Sequence, residues 1–219
     1  MTLISDSIEG VKASILIAIK NELTETYPNE FGDYRTDRGD VYSKVFWADT
    51  IRYQPKFPYC MLSINSDRSE GYDEISYIRD TNGDLKKKIT SRSFLTVNIS
   101  IFDMGNEKTN RSSLMADTFA LKVARQLRKY FNGEGKLDWF SGNEYYPRQI
   151  SIEVSDDIDS DNDWSDTETL FRFSFDIIAG YDDVSIVTPD LAKGVKIMVY
   201  KDSVKIDEEV IKIGRTAKV

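Results

Sequence analysis

The stretch Phe94-Leu95-Thr96-Val97-Asn98-Ile99-Ser100-Ile101 places Leu95, Val97, Ile99 and Ile101 on one side of an extended chain and Thr96, Asn98 and Ser100 on the other. A period of two is the signature of a half-buried strand, one face on a core and one toward water. Phe171-Arg172-Phe173-Ser174-Phe175-Asp176-Ile177 repeats the alternation, and Ile150, Ile152 and Val154 repeat it within residues 149–154. The last two segments are predicted to pair. Upstream, residues 41–47 and 59–64 also read as strands, the second with Cys60, Leu62 and Ile64 on one face. The two prolines of Gln54-Pro55-Lys56-Phe57-Pro58 favour an extended or turn connection between them.

Two segments break this pattern with a helical period. In residues 5–24, Ile4, Ile8, Val11, Ile15 and Ile19 recur at helical spacing, Leu16 and Leu23 widen the stripe, and Asp6 with Glu9 resembles a capping box. Its breadth suits a core face, a subunit contact, or both. In residues 112–131, Ala116, Phe119, Ala120, Val123, Leu127, Tyr130 and Phe131 share a face. Asp117 lies near the amino end and Arg125, Arg128 and Lys129 near the carboxyl end, as the helix dipole prefers, and Gly133 and Gly135 follow as a stop. Helices interspersed with runs of strands indicate an α+β fold: a mostly antiparallel sheet with two main helices on one face. The polar, turn-rich residues 27–40, with Pro28, Gly32 and Gly39, read as a long loop.

Asn82-Gly83 is a strong hairpin signal, because both residues tolerate positive φ. The flanking segments 74–79 and 85–90 carry few apolar residues, so this hairpin is predicted to project from the body. Beyond Pro189 the chain turns lysine-rich, and 195–200 with 204–213 read as a short β pair. The expected organisation is a main domain over 1–188 and a small C-terminal β appendix over 189–219.

Composition narrows the function classes. The 219 residues carry 29 basic and 37 acidic side chains, a formal charge of −8, which argues against tight sequence-independent binding to phosphate backbones. The 26 aromatic residues (3 Trp, 12 Tyr, 11 Phe) suffice for a sizeable core. Histidine is absent, and with it the commonest general acid–base chemistry and the usual histidine-containing zinc sites. A single cysteine permits no intrachain disulfide framework. The apolar run Ile15-Leu16-Ile17-Ala18-Ile19 is far short of the ~20 residues that span a bilayer. The expectation is a soluble intracellular protein without a membrane partner.

Four candidate sites stand out. The acidic run 157–168 sets Asp157, Asp159, Asp161 and Glu168 at positions one, three, five and twelve, as in a calcium-binding EF-hand loop. Position six is Asn162 where that loop needs glycine, and both flanks have strand rather than helix period. A solvated acidic connection is the alternative: Asp156, Asp157, Asp159, Asp161, Asp163 and Asp166 repel one another and are expected to spread into water as a mobile link between two strands. Cys60, in Tyr59-Cys60-Met61-Leu62, reads as a buried structural thiol with no histidine to activate it. Lys86-Lys87-Lys88 suits either phosphate contacts or a lysine-guarded strand edge. Gly133-Glu134-Gly135 lacks the third glycine and the preceding strand of a dinucleotide loop. No catalytic residue and no cofactor is expected.

Taken together, Val45-Phe46-Trp47-Ala48, Phe57-Pro58-Tyr59-Cys60-Met61-Leu62, the strand ending Phe94-Leu95-Thr96-Val97-Asn98-Ile99-Ser100, the helix 112–131, Arg148-Gln149-Ile150-Ser151-Ile152 and Phe171-Arg172-Phe173-Ser174-Phe175 resemble the neck or tail terminator (tail completion) proteins of tailed bacteriophages. The likeness covers roughly residues 1–188. The family's glycine-alanine start of the long helix is missing; Met104-Gly105 lies earlier, followed by a longer polar connection. The resemblance implies a structural virion protein at the head–tail junction. Such a protein forms a ring, usually hexameric, that ends the tail tube and joins it to the head connector while DNA passes through the hole. It also implies self-association, for which Asn82, Gly83, Lys86, Lys87 and Lys88 are the contact candidates. Six copies at −8 carry −48 formal charges, which repel DNA from an acidic lumen. Another virion ring or adaptor (head completion, tube or sheath) and a calcium-regulated binding module are the rival readings.

Overall fold

The computed structural model describes residues 7–35, 39–50, 55–79, 82–83, 85–106, 112–134, 136–138, 149–164, 168–187, 195–201 and 204–211. Ile4, Asp6, Gln54, residues 107–111, Gly135, Arg148, Asp166, residues 188–194 and residues 212–213 lie outside the described residues.

The stripe of Val11, Ile15, Ile19 and Leu23 is fully buried along helix α1 (Ser7–Thr26). A short helix α2 (Pro28–Phe31) and a two-residue strand β1 (Tyr34–Arg35) follow, then β2 (Val41–Tyr42) and β3 (Val45–Trp47). Residues 27–40 are thus not one long loop. Pro28 opens a helical turn, and Phe31 is buried with its ring 6.4 Å from those of both Tyr27 and Phe119. The segment 41–47 is likewise two strands: β2 pairs with β1, and β3 joins the main sheet.

Strand β4 (Tyr59–Arg79) and strand β5 (Leu85–Asn106) follow, then helix α3 (Ser113–Glu134), β6 (Lys136–Asp138), β7 (Gln149–Val154), β8 (Asp159–Trp164) and β9 (Glu168–Val187). The main sheet has seven strands in the order β3-β4-β5-β9-β7-β6, with β8 also paired to β9. All pairings are antiparallel except β3 with β4. Strands β10 (Val195–Lys201) and β11 (Val204–Ile211) form a separate antiparallel pair. The fold is α+β, and its sheet is mostly antiparallel.

Register explains the core. Trp47, Leu62, Ile99 and Phe175 stand in one row across four strands, and Val45, Cys60, Ile101 and Phe173 in the next. All eight are buried. Because paired residues point to the same side, these rows make one continuous apolar face, and α1 and α3 lie on it. Ala116, Ala120, Val123, Ala124, Leu127 and Phe131 form the buried side of α3, with Phe119 and Tyr130 half-buried beside them. The other sheet face combines polar groups with an aromatic patch of Phe46, Tyr59 and Phe102. There Asp176 accepts hydrogen bonds from Asn98 at 2.8 Å and Asn65 at 3.2 Å, and Arg92 pairs with Asp182 at 3.1 Å.

Gly105 shows how the sheet meets the long helix. A β-carbon at this position would lie 2.6 Å from the Ser113 α-carbon and 2.9 Å from its backbone nitrogen, so the start of α3 rests directly on a bare backbone. Neither partner is a flexible side chain that can swing away. Gly105→Ala is expected to destabilise the fold by roughly 1–3 kcal/mol through overpacking. Chemical denaturation with an unchanged m-value checks it.

Candidate assembly interface

Strands β4, β5 and β9 are each 20 residues or longer, far more than the core needs. At ~3.3 Å per residue, the 22 residues of β5 extend roughly 70 Å. The polar stretch 66–70 looks like an interruption in the sequence, yet the β4–β5 ladder runs through it. Ladder hydrogen bonds join backbone groups and need no apolar side chains. Every described side chain of β4 from Ile64 to Arg79 is exposed or half-exposed. The hairpin foreseen around Asn82-Gly83 is therefore the tip of a three-stranded arm, with β9 as its third strand up to Val187. At the tip Gly83 has φ +82°, and its carbonyl accepts a hydrogen bond from the Arg79 guanidinium at 3.0 Å.

Beyond its three-residue pairing with β3, β4 from Ser63 onward pairs with β5 alone among the described residues, so this side of the arm is an open edge. Unpaired backbone N–H and C=O groups along such edges are templates for another strand. Register shifts in β4 at 64/66 and 70/74, with Gly71 at φ +90°, bend this edge and restrict which partner fits it. The far end also exposes Ile75 and Tyr77, at 53% and 61%, on the face that is apolar nearer the body.

The arm corrects the reading of Lys86-Lys87-Lys88 as an edge guard. β5 is the middle strand: Lys87 lies between Tyr77 and Val187, and Lys88 between Ser76 and Ile186. All three lysines are half-buried, and they alternate between the two faces of the arm. Asn82 and Gly83, in contrast, are exposed at the tip. Nothing in the residue types distinguishes a central lysine from an edge lysine. Only the third strand settles it.

The acidic run is corrected too. Instead of a mobile link, residues 159–164 are strand β8, paired along β9 from Trp164 opposite Thr169 to Asp159 opposite Ser174. Alternate aspartates face one side of a strand ~6.5–7 Å apart, so Asp159 and Asp161 are strung out rather than folded around one centre. No group of three or more potential ligands is gathered among the described residues. Asp161 lies opposite Arg172, with 3.9 Å between its carboxylate and the guanidinium. Solvent exposure of Asp156, Asp157, Asp159, Asp161 and Asp163 matches the expectation. The strand geometry does not: Arg172 and the free edge of β9 hold a segment whose mutual repulsion suggested a loop.

Cys60 is fully buried in the core row with Ile101, and burial pushes its thiol far above the usual range. It is expected to resist thiol reagents until the protein unfolds. Cys60→Ser should cost about 1–3 kcal/mol from burying a hydroxyl, with assembly retained. Native-state thiol titration and a denaturation curve check the two halves of this prediction.

Tyr181, at the root of the arm, is pushed up to about 12 by burial and by the nearby Asp67 and Asp183. Its folded pKa lies above its unfolded value near 10.0, so the unfolded chain loses this proton first. The resulting stability is present below pH 10 and is lost as pH rises toward 12. Tyr181→Phe should flatten that alkaline loss in denaturant titrations.

No protein-family model matches the chain, and no curated protein matches it at a significant level. Among the described residues, no helix is long and apolar enough to cross a membrane.

Proposed function

We propose that this chain is a structural virion protein of a tailed bacteriophage, forming a ring, with six copies the expected number, at the head–tail junction. In this reading the ring ends the tail tube and joins it to the head connector, and DNA passes through the lumen without sequence-specific contacts. The observation that carries the ring is the three-stranded arm, whose β4 edge is open among the described residues. A single projecting edge suits a heterologous contact, in which the arm of each copy meets a different surface of the next and the set closes if the rotation allows. Strand addition of this kind draws its strength from main-chain hydrogen bonds. The placement at the neck rests on the terminator-like pattern of residues 1–188. The acidic balance of −8 suits DNA that slides past instead of being held.

Producing particles without this chain tests the reading. Filled heads separate from tails, with tails longer than normal, are the expected result. Normal infectious particles in its absence would refute it.

A further inference from the structure

The exposed side of α3 has its own character. Lys122, Arg125 and Lys129 point outward along it and border an open groove of about 430 Å³ together with Thr118, Leu121 and Gln126. None of the three has an ion-pair partner among the described residues; Lys122 only lies 5.8 Å over the Tyr27 ring. The same side carries Leu114 and Met115 at its amino end, exposed by 74% and 61%. This helix face is basic, partly apolar and uncovered.

Its complement is present on the same chain, on the opposite layer. Asp159 and Asp161 stand opposite Ser174 and Arg172 in β9. The Arg172 guanidinium lies over Phe102 and reaches Ser100, on the sheet face away from the helices. The alternation puts Asp163 on that face as well. All three aspartates are exposed. At 1.5 Å per residue the three cations span about 10 Å of helix. At ~3.4 Å per residue the three aspartates span about 14 Å of strand, a mismatch well within side-chain reach.

From this match we infer that the outer face of α3 receives strand β8 of a second copy of this chain, Lys122, Arg125 and Lys129 facing Asp159, Asp161 and Asp163. This contact deepens the ring reading and rests on it. Because the basic face belongs to the helix layer and the acidic row to the sheet layer, one copy cannot satisfy both. Head-to-tail repetition satisfies them in every copy, which is the geometry of a closed ring. Complementary charges of this sort fix register and raise the rate of encounter. DNA is the less favoured occupant, since three cations on a chain of −8 offer little counterion release.

Two triple charge reversals test the contact: Lys122→Glu, Arg125→Glu, Lys129→Glu in one protein, and Asp159→Lys, Asp161→Lys, Asp163→Lys in the other. Each alone should associate at least ~10-fold more weakly than the wild-type chain in sedimentation velocity at low salt. Mixed in equal amounts they should associate again, because alternating copies restore opposite charges at every contact. Neutral versions (Gln on the helix, Asn on the strand) serve if a reversal melts early; each should weaken association alone, and mixing them should restore the wild-type charges at alternate contacts only, giving pairs but no closed ring. A wild-type chain that associates, with both reversals associating equally well, would overturn the contact and leave the ring reading intact. A wild-type chain that never self-associates, alone or on particles, would overturn both. Loss of DNA retention by the helix variant with self-association unchanged would make α3 a phosphate surface and overturn the contact.

Discussion

Phe175→Ala is expected to cost about 3–5 kcal/mol, the largest loss of stability from any single truncation considered for this fold. Phe175 is 1% exposed and completes the row of Trp47, Leu62 and Ile99 across four strands beneath the helices. Removing the ring leaves a cavity whose walls are strands fixed on both sides by ladder hydrogen bonds, so the site cannot collapse to fill it. Against a typical total of ~5–15 kcal/mol, such a loss puts the protein near its unfolding threshold. In a chain of this size it corresponds to a fall in melting temperature of roughly 10 °C. Ile186→Ala on the exposed arm should cost less than ~1 kcal/mol. Urea denaturation of the two variants side by side checks the contrast. Equal losses would mean that the arm is packed as tightly as the body.

The second large effect is on assembly, with stability left alone. Ile75 and Tyr77 lie two residues apart on one face of the arm, where water covers them in the isolated chain. Threonine at both positions keeps β-propensity while removing most of the apolar surface. Ile75→Thr with Tyr77→Thr should shift stability by less than ~0.5 kcal/mol. Ring formation should fall at least ~10-fold if the arm is buried between copies, as hydrophobic contact residues at protein interfaces require. Thermal melting and sedimentation of the same sample separate the two readouts. Unchanged assembly would remove the far end of the arm from the interface.

Residues with strong periodicity were legible in the sequence. Leu95, Val97, Ile99 and Ile101 marked a strand and its buried face, and the stripes of α1 and α3 marked the two helices that cover it. These are cases in which local pattern and tertiary burial agree. The arm was harder to read. Ser66-Asp67-Arg68-Ser69-Glu70 carries no apolar residue, yet it continues β4 because β5 pairs along it. The acidic strand β8 was hidden for the same reason: Asp159-Ser160-Asp161-Asn162-Asp163 has almost no strand propensity, and only the edge of β9 with Arg172 draws it into the sheet. The role of Gly105 was equally invisible, since its lack of a side chain matters only against the backbone of Ser113. Sequence marked the core and the projecting hairpin but not the third strand beside it, because that depends on which strands become neighbours.

Electron microscopy of tailed particles carrying a small density tag on Asn82 at the arm tip, set beside images of the purified untagged chain, tests the ring at the neck most directly. The account predicts a ring of six copies around a central hole, and tag density repeated six times at the junction of head and tail. Tag density confined to the capsid shell, the tail sheath or the tail tip, or absent from particles altogether, would contradict it.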